Sequence, residues 1–305
     1  MTRYLVGRLI QAIFVVFAAL TIIFFLMHLT GDPVALFVPV GADESMVARI
    51  RHELGLDQPL YIQYFQFLGQ ALHGNFGSSV SYDQPALGLV LERLPATLSL
   101  AGLAFAFTVV FGFLFGILAA LFRNTPIDSV ATGIAVAGQS MPSFWLGTIL
   151  ILLFTVHWQI FPSSGDSGFS SVILPALTLG AFSWGIVARV TRSSLLEVLP
   201  KDYLRTAKAK GLRYWRIIGK HALRNALLGP LTVLGLQTSV LFGGAIVTEQ
   251  VFAYPGMARL ATQAVLNHDF PIVEAFVFVT ALVVLGANLI IDLLYVVIDP
   301  RVRLG

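Results

Sequence analysis

Long apolar stretches without a formal charge recur along the chain, separated by shorter polar segments. Leu9 to Leu29, Leu94 to Phe122, Ser129 to Gly165, Ser167 to Ala188 and Asn225 to Thr248 carry no Asp, Glu, Lys or Arg, and Ala275 to Ile298 is interrupted once, by Asp292. A helix of roughly 20 apolar residues crosses the hydrocarbon of a bilayer. Six transmembrane helices are therefore predicted. The first run follows Arg3 and Arg8, as a secretory signal would. It is longer than the roughly 7–15 apolar residues of such a signal and no small-x-small cleavage site follows, so it reads as a retained anchor. Gly112, Gly116 and Ala120 recur at every fourth residue, as do Gly235, Ser239 and Gly243. Small residues at that spacing let helix backbones approach closely in lipid.

Composition agrees with the pattern. Hydrophobic residues make up 57% and charged residues 11%, with a mean hydropathy of +0.83, against about 25% charged in a soluble domain. A water-soluble enzyme and a disordered chain are both excluded. With no cysteine, disulfides, a thiol nucleophile and cysteine-ligated zinc are excluded as well. Nineteen bases face sixteen acids, so the placement of the bases carries more information than the net charge. Six spans put both termini on one side, with Arg123, the ten bases from Arg189 to Arg224, and Arg301 and Arg303; Arg49, Arg51, Arg93 and Arg259 fall on the other. Bases accumulate on the cytoplasmic side of short loops, so both termini are expected in the cytoplasm.

Three polar segments stand out. Residues 31–93 hold seven acids against three bases. Val47, Ile50, Arg51 and Leu54 sit at helical spacing up to Gly55, and Tyr61, Tyr64, Phe65, Phe67 and Leu68 form a second amphipathic pattern. Two readings are open for this outer segment: a lid over the bundle, or a docking surface for a delivery protein. The stretch from Arg189 to Arg224 has ten bases and two acids. It is either a positive-inside anchor lying on anionic headgroups or a recognition element. Leu195, Leu196, Leu199, Tyr203, Leu204 and Ala207 before Gly211, and Trp215, Ile218 and Ala222 after it, make a helix–turn–helix whose apolar ridge suits another protein's groove. The third segment, 248–269, contains the turn Tyr254-Pro255-Gly256, and its acids Glu249 and Asp269 are expected near span ends, facing an aqueous path. Asp292, with Asn288 one turn earlier, is either a packing partner or a functional intramembrane carboxylate.

Several chemistries have no residues to carry them. No G-x-x-x-x-G-K-[ST] occurs, since Gly219-Lys220 is followed by His221, so nothing cradles a nucleotide phosphate. His28, His52, His73, His157, His221 and His268 never form H-E-x-x-H, and Gly-x-Ser-x-Gly is missing. Carriers driven by protons use ionisable relays within the membrane, and this chain offers almost none. Energy for uphill transport has to enter from a partner.

The stretch Tyr203-Leu-Arg-Thr-Ala-Lys-Ala-Lys-Gly-Leu212, followed by His221-Ala-Leu-Arg-Asn-Ala226, resembles the cytoplasmic signature of permease subunits of bacterial ABC importers. That signature begins Glu-Ala-Ala, three residues, then Gly. Here Arg205 and Thr206 replace its first two residues, Ala207 and Gly211 are kept, and His221 and Arg224 stand where the signature's tail has Ile and Pro. These departures resemble the dipeptide/oligopeptide/nickel branch. So do Leu54-Gly-Leu-Asp-Gln-Pro-Leu60, Ser140-Met-Pro-Ser-Phe-Trp-Leu-Gly147, Leu174-Pro-Ala-Leu-Thr-Leu179, Val251-Phe-Ala-Tyr-Pro-Gly256 and Asp299-Pro-Arg301; His73-Gly-Asn-Phe-Gly77 departs from it, with Asn75 in place of an acid.

The resemblance implies an all-α polytopic membrane protein with the type I ABC importer permease fold in the bacterial inner membrane. It implies a cytoplasmic end and first span (1–30), an outer periplasmic segment (31–93) and a five-span core (94–305) with coupling helices at 192–224. It further implies a second homologous permease, two ATP-binding subunits carrying ATP and magnesium, and a periplasmic or lipid-anchored solute-binding protein. Membrane lipid is the remaining partner; no cofactor on this chain, no enzyme activity and no nucleic acid are expected. Tyr203, Arg205, Thr206, Ala207, Lys208, Gly211 and Trp215 are the expected coupling residues, with Ala207 small enough for a partner's cleft. Gln139, Ser140 and Ser143 around Pro142, with Gln237, Thr238 and Glu249, are the expected path residues; interhelical hydrogen bonding is the competing role. Peptide is the expected cargo, with nickel and glutathione open. A proton-driven carrier or channel acting alone, or a membrane scaffold, are the readings from other classes.

Overall fold

The computed structural model describes residues 2–30, 34, 43–53, 56–162, 165 and 168–298. The side chain of Asp292, the Leu54-Gly55 pair, Asp299-Pro-Arg301 and Arg303 lie outside the described residues. Among the described residues the regular secondary structure is helical, apart from an isolated bridge between Ser78 and Pro85.

Among the described residues five helices are long and apolar enough to cross a membrane: α1 (Thr2–Thr30), α4 (Ala86–Leu121), α7 (Phe169–Val198), α11 (Leu228–Val251) and α13 (Phe270–Ile298). Between the first two lie α2 (Glu44–Glu53) and α3 (Leu60–Leu72). The sixth expected span is not one rod. It is α5 (Pro126–Ser140), then α6 (Ser143–Leu150) running into a π-helical Ile151–His157, with the two arms bent by 114°. The cause is local. Met141 is extended (φ −80°, ψ 130°), the conformation that a following proline imposes, and Pro142 has no amide hydrogen to continue the ladder of α5. Six spans are reached when this bent pair counts as one.

One compact unit comprises Met1–Thr97 and Pro255–Gly286. Its core gathers Leu20 and Ile23 of α1, Phe76, Val90 of α4, Leu260 of α12 (Met257–Leu266) and Ile272 of α13. Thr97 Oγ1 accepts the Met257 amide at 2.9 Å, which satisfies a free N–H of the first turn of α12. Asp269, expected to face water, is instead fully buried. It accepts the Ser79 hydroxyl at 2.5 Å and the Ser81 amide at 3.0 Å, so it pins the loop before α4 to the α12–α13 turn.

The other unit comprises Leu98–Tyr254 and Ala287–Leu304. α7 is its centre, packed against α5, α6 and α11. The first small-residue stripe works as expected: a methyl group placed at Gly116 would sit 2.5 Å from Thr191 Cβ, so α4 and α7 touch backbone to backbone there. The second stripe does so only in part. Ser239 donates to Asn288 Oδ1 of α13 at 3.2 Å, Gly243 faces open space, and the neighbouring Gly244 packs against Leu179. Residue spacing specifies a helix face but not which face meets a neighbour. A bidentate ion pair ties α5 to α7: Arg192 Nε and Nη2 donate to Asp128 at 3.0 and 2.9 Å. Asp128 also accepts the Asn124 amide at 3.0 Å.

Candidate functional site

The basic hairpin is built from the end of α7 onward. α8 (Asp202–Ala209) buries Leu204 and Ala207 and exposes its other positions. The chain then turns at Gly211, whose φ of +78° lies in the left-handed region that costs any residue with a Cβ. The Gly211 amide donates to Lys208 O at 3.0 Å and the Leu212 amide to Ala207 O at 3.3 Å, closing the helix end. A second helical arm returns as α9 (Tyr214–Arg216), a π-helical Ile217–Ala222 and α10 (Leu223–Ala226).

The apolar ridge of this hairpin faces inward. Leu204 and Ala207 of the first arm, with Ile217, Ile218, Ala222 and Ala226 of the second, join Ala120 of α4 and Leu195 and Val198 of α7 in one cluster. Sequence spacing reads that ridge as a surface for another protein's groove; the chain buries its aliphatic part itself and leaves Tyr203 and Trp215 exposed. Ala207 is correspondingly 8% exposed, and its small size serves this internal packing. What the hairpin presents outward is cationic and aromatic: Arg205, Thr206, Lys208, Lys210, Arg213 and Arg216 are exposed. Trp215 is 71% exposed and meets the Tyr214 ring edge-on at 5.6 Å. Tyr203 braces the two arms. Its hydroxyl accepts from Asn225 Nδ2 at 3.0 Å, and Asn225 also donates to His221 O at 3.0 Å. Asn225 was not foreseen in this role; the two residues lie 22 positions apart, and no periodicity links them.

The expected path residues are not gathered in one place. Ser140 and Ser143 flank the bend, Ser140 exposed and Ser143 half-buried. Gln139 lines a cleft of about 530 Å³ together with Thr132, Arg123, Arg189, Arg192 and Glu197. Gln237 is buried and accepts the Ser183 hydroxyl at 3.0 Å, an interhelical bond of the packing kind. Thr238 donates to Leu234 O within its own helix. Glu249 is fully buried, which corrects the expectation that it faces water. In the sequence the arginines of the cleft register only as charge, because nothing in their spacing shows that α4, α5 and α7 bring them together. Among the described residues no group of His, Asp and Glu has the arrangement to hold a metal ion.

Comparison with known proteins bears on the whole chain. Residues 112–304 match the family described as binding-protein-dependent transport system inner membrane component, and residues 1–101 match its N-terminal family. A protein of Brucella abortus (strain 2308), named provisionally as a peptide transport system permease protein, is 42% identical over 312 residues, covering 99% of both chains. The glutathione transport system permease protein GsiC of Escherichia coli (strain K12) is 39% identical over 304 residues, again with 99% of each chain covered. Among solved structures, the inward-facing MetNI methionine ABC transporter aligns with a TM-score of 0.59 at 19% identity, covering 69% of this chain and 96% of that one. An amino acid ABC transporter solved with histidines aligns at 0.51 and 17% identity, covering 70% and 94%.

Proposed function

Because the chain belongs to the family of inner membrane components of binding-protein-dependent transport systems, we propose that it is the permease subunit of an ATP-driven importer of small peptides, driven through its basic hairpin. The two relatives named for peptide and for glutathione transport both handle peptide-bonded cargo, since glutathione is itself a tripeptide, and this supports a di- or oligopeptide over nickel. Both termini and the hairpin lie in the cytoplasm in this reading, in keeping with the concentration of bases there. Two ATP-hydrolysing subunits carrying ATP and magnesium sit beneath, a second permease completes the path, and a solute-binding protein delivers cargo to the side bearing residues 31–93.

The observation that carries the mechanism is the division of the hairpin into two faces. Its apolar face shares a cluster with Leu195 and Val198 of α7, and α7 runs from that cluster into the apolar span. Its cationic and aromatic face is exposed. A push on Trp215 and the surrounding bases is therefore transmitted through a packed core, which deforms little, into α7. ATP-driven closure of the ATPase pair biases a two-state bundle in this way, and the bias equals the difference in contact energy between the two states. Arg205, Thr206, Lys208 and Trp215 make the contact. Tyr203, Ala207 and Gly211 hold the shape.

Gly211→Pro tests this. Proline fixes φ near −65° where the native turn needs +78°. In proteoliposomes holding the full complex, the variant is expected to insert normally, to keep ATP hydrolysis and to lose peptide uptake. Undiminished uptake refutes the assignment.

A further inference from the structure

The stretch of α1 long and apolar enough to cross a membrane is Ile10–Leu29, about 30 Å of helix, which matches the thickness of the hydrocarbon layer. Whatever packs against the middle of that stretch is at membrane depth. The helix α3 does so. Tyr64 Oη is 2.7 Å from Thr21 Oγ1, and Thr21 lies eight residues before Leu29, about 12 Å inside the end of the span. Tyr64 also meets Phe17 edge-on at 6.5 Å, and Phe67 stacks on Phe24 at 5.5 Å. Gln63 reaches toward the end of that stretch, where its Oε1 is 3.1 Å from His28 Nε2.

From these contacts we infer that α3 is embedded in one leaflet, and that the face bearing Leu60, Tyr61, Phe65 and Leu72 is covered by lipid acyl chains. Three further observations agree. First, Asp57 and Asp83 bracket a stretch, 58–82, with no Asp, Glu, Lys or Arg, so the acids of the outer segment avoid this helix. Second, polar side chains at the contact between α1 and α3 are satisfied within the chain, as a medium without water requires. Thr21 of α1 donates to Phe17 O, and Gln63 Nε2 of α3 donates to Gln58 O. Third, the stripe of α3 that bears Tyr61 and Phe65 is apolar and continuous with the exposed face of α1, while Gln66 and Gln70 are exposed on the flank beside it. Phe65 is 67% and Tyr61 64% exposed, Phe25 on α1 is 47% exposed, and Tyr64 stacks on Phe25 at 5.9 Å and meets the tilted ring of Phe65 at 5.5 Å. An aqueous lid or a protein-docking helix would leave these rings in water until a partner arrived; at this depth lipid already covers them. Neither the cargo nor the coupling hairpin enters this inference.

The chain contains no cysteine, so Phe65→Cys and Tyr61→Cys each introduce its sole thiol. The test carries a nitroxide at either position in the complete transporter, reconstituted in phosphatidylcholine–phosphatidylglycerol vesicles, with the unmodified complex as the label background. Collision rates with oxygen, which partitions into lipid, and with a water-soluble nickel chelate are compared with two references: Phe14→Cys on the exposed face of α1 and Asp83→Cys in the exposed loop. The expected result is an oxygen-to-nickel ratio matching Phe14→Cys and several-fold above Asp83→Cys. A ratio matching Asp83→Cys places α3 in water and overturns the inference. Low collision with both reagents shows a covering protein and overturns it equally. Two positions on one face keep the test open if either variant fails to assemble.

Discussion

Asp128 and Arg192 show how much one pair of side chains can organise. The carboxylate ends the turn after α4 by accepting the Asn124 amide and fixes α5 to α7 through both guanidinium nitrogens. Arg192→Ala leaves that carboxylate, whose side chain is 10% exposed, without its counter-charge. The expected loss is about 2 kcal/mol, in the range of a hydrogen bond to a charged group. It is read as a lower thermal unfolding midpoint of the detergent-solubilised complex. Adding Asp128→Asn is expected to cost much less than the sum of the two single losses, because both remove one interaction. Asp269 acts similarly in the other unit. Asp269→Ala strands the Ser79 hydroxyl and the Ser81 amide, at about 1–3 kcal/mol for buried groups left unpaired, and faster protease cleavage of the 78–85 loop reports it.

At the level of elements, close approach between helices sets the tolerance to substitution. Gly116 of α4 lies against the α7 backbone at Ala188 O, and Gly185 of α7 lies against Ala135 O of α5. Gly116→Leu has no room and is expected to abolish accumulation of the full-length chain in the membrane, whereas Gly243→Leu, which faces open space, leaves accumulation of the isolated chain unchanged. Comparing the two by immunoblot of membrane fractions separates packing from general intolerance of bulk. The hairpin makes a parallel contrast. Ala207→Leu overfills the buried cluster and is expected to destabilise by about 1–3 kcal/mol. The paired change Arg205→Ala with Lys208→Ala is expected to leave the unfolding midpoint in place and to lower uptake per ATP hydrolysed.

For the molecule as a whole, the absence of a phosphate-cradling motif and membership in this transport family lead to one requirement. The purified chain, reconstituted alone, is expected to give no peptide uptake with or without a proton gradient. Adding the second permease, the ATPase pair and the binding protein is expected to restore uptake that stops when ATP is omitted. Uptake by the chain alone would favour a self-sufficient carrier. The bundle also depends on helices that are not simple rods. The bend of 114° at Pro142 turns one long apolar run into two arms, and α7 can then touch α5, α6 and α11 together.

The helical class, the membrane setting, the basic hairpin and the turn at Gly211 are all legible along the chain. Each follows from a property that neighbouring residues share: apolar length, local charge density, or the backbone freedom of one glycine. The bend at Met141-Pro142 was within reach of the same logic, since proline alone breaks the ladder, but apolar length concealed it. What the linear pattern leaves open is direction. The hairpin's ridge, the stripe ending at Gly243, the carboxylates Glu249 and Asp269, and the aromatic face of α3 all have the right composition for more than one neighbour. Helical periodicity defines a face, and only the packing of segments distant in sequence decides whether that face meets protein, water or lipid.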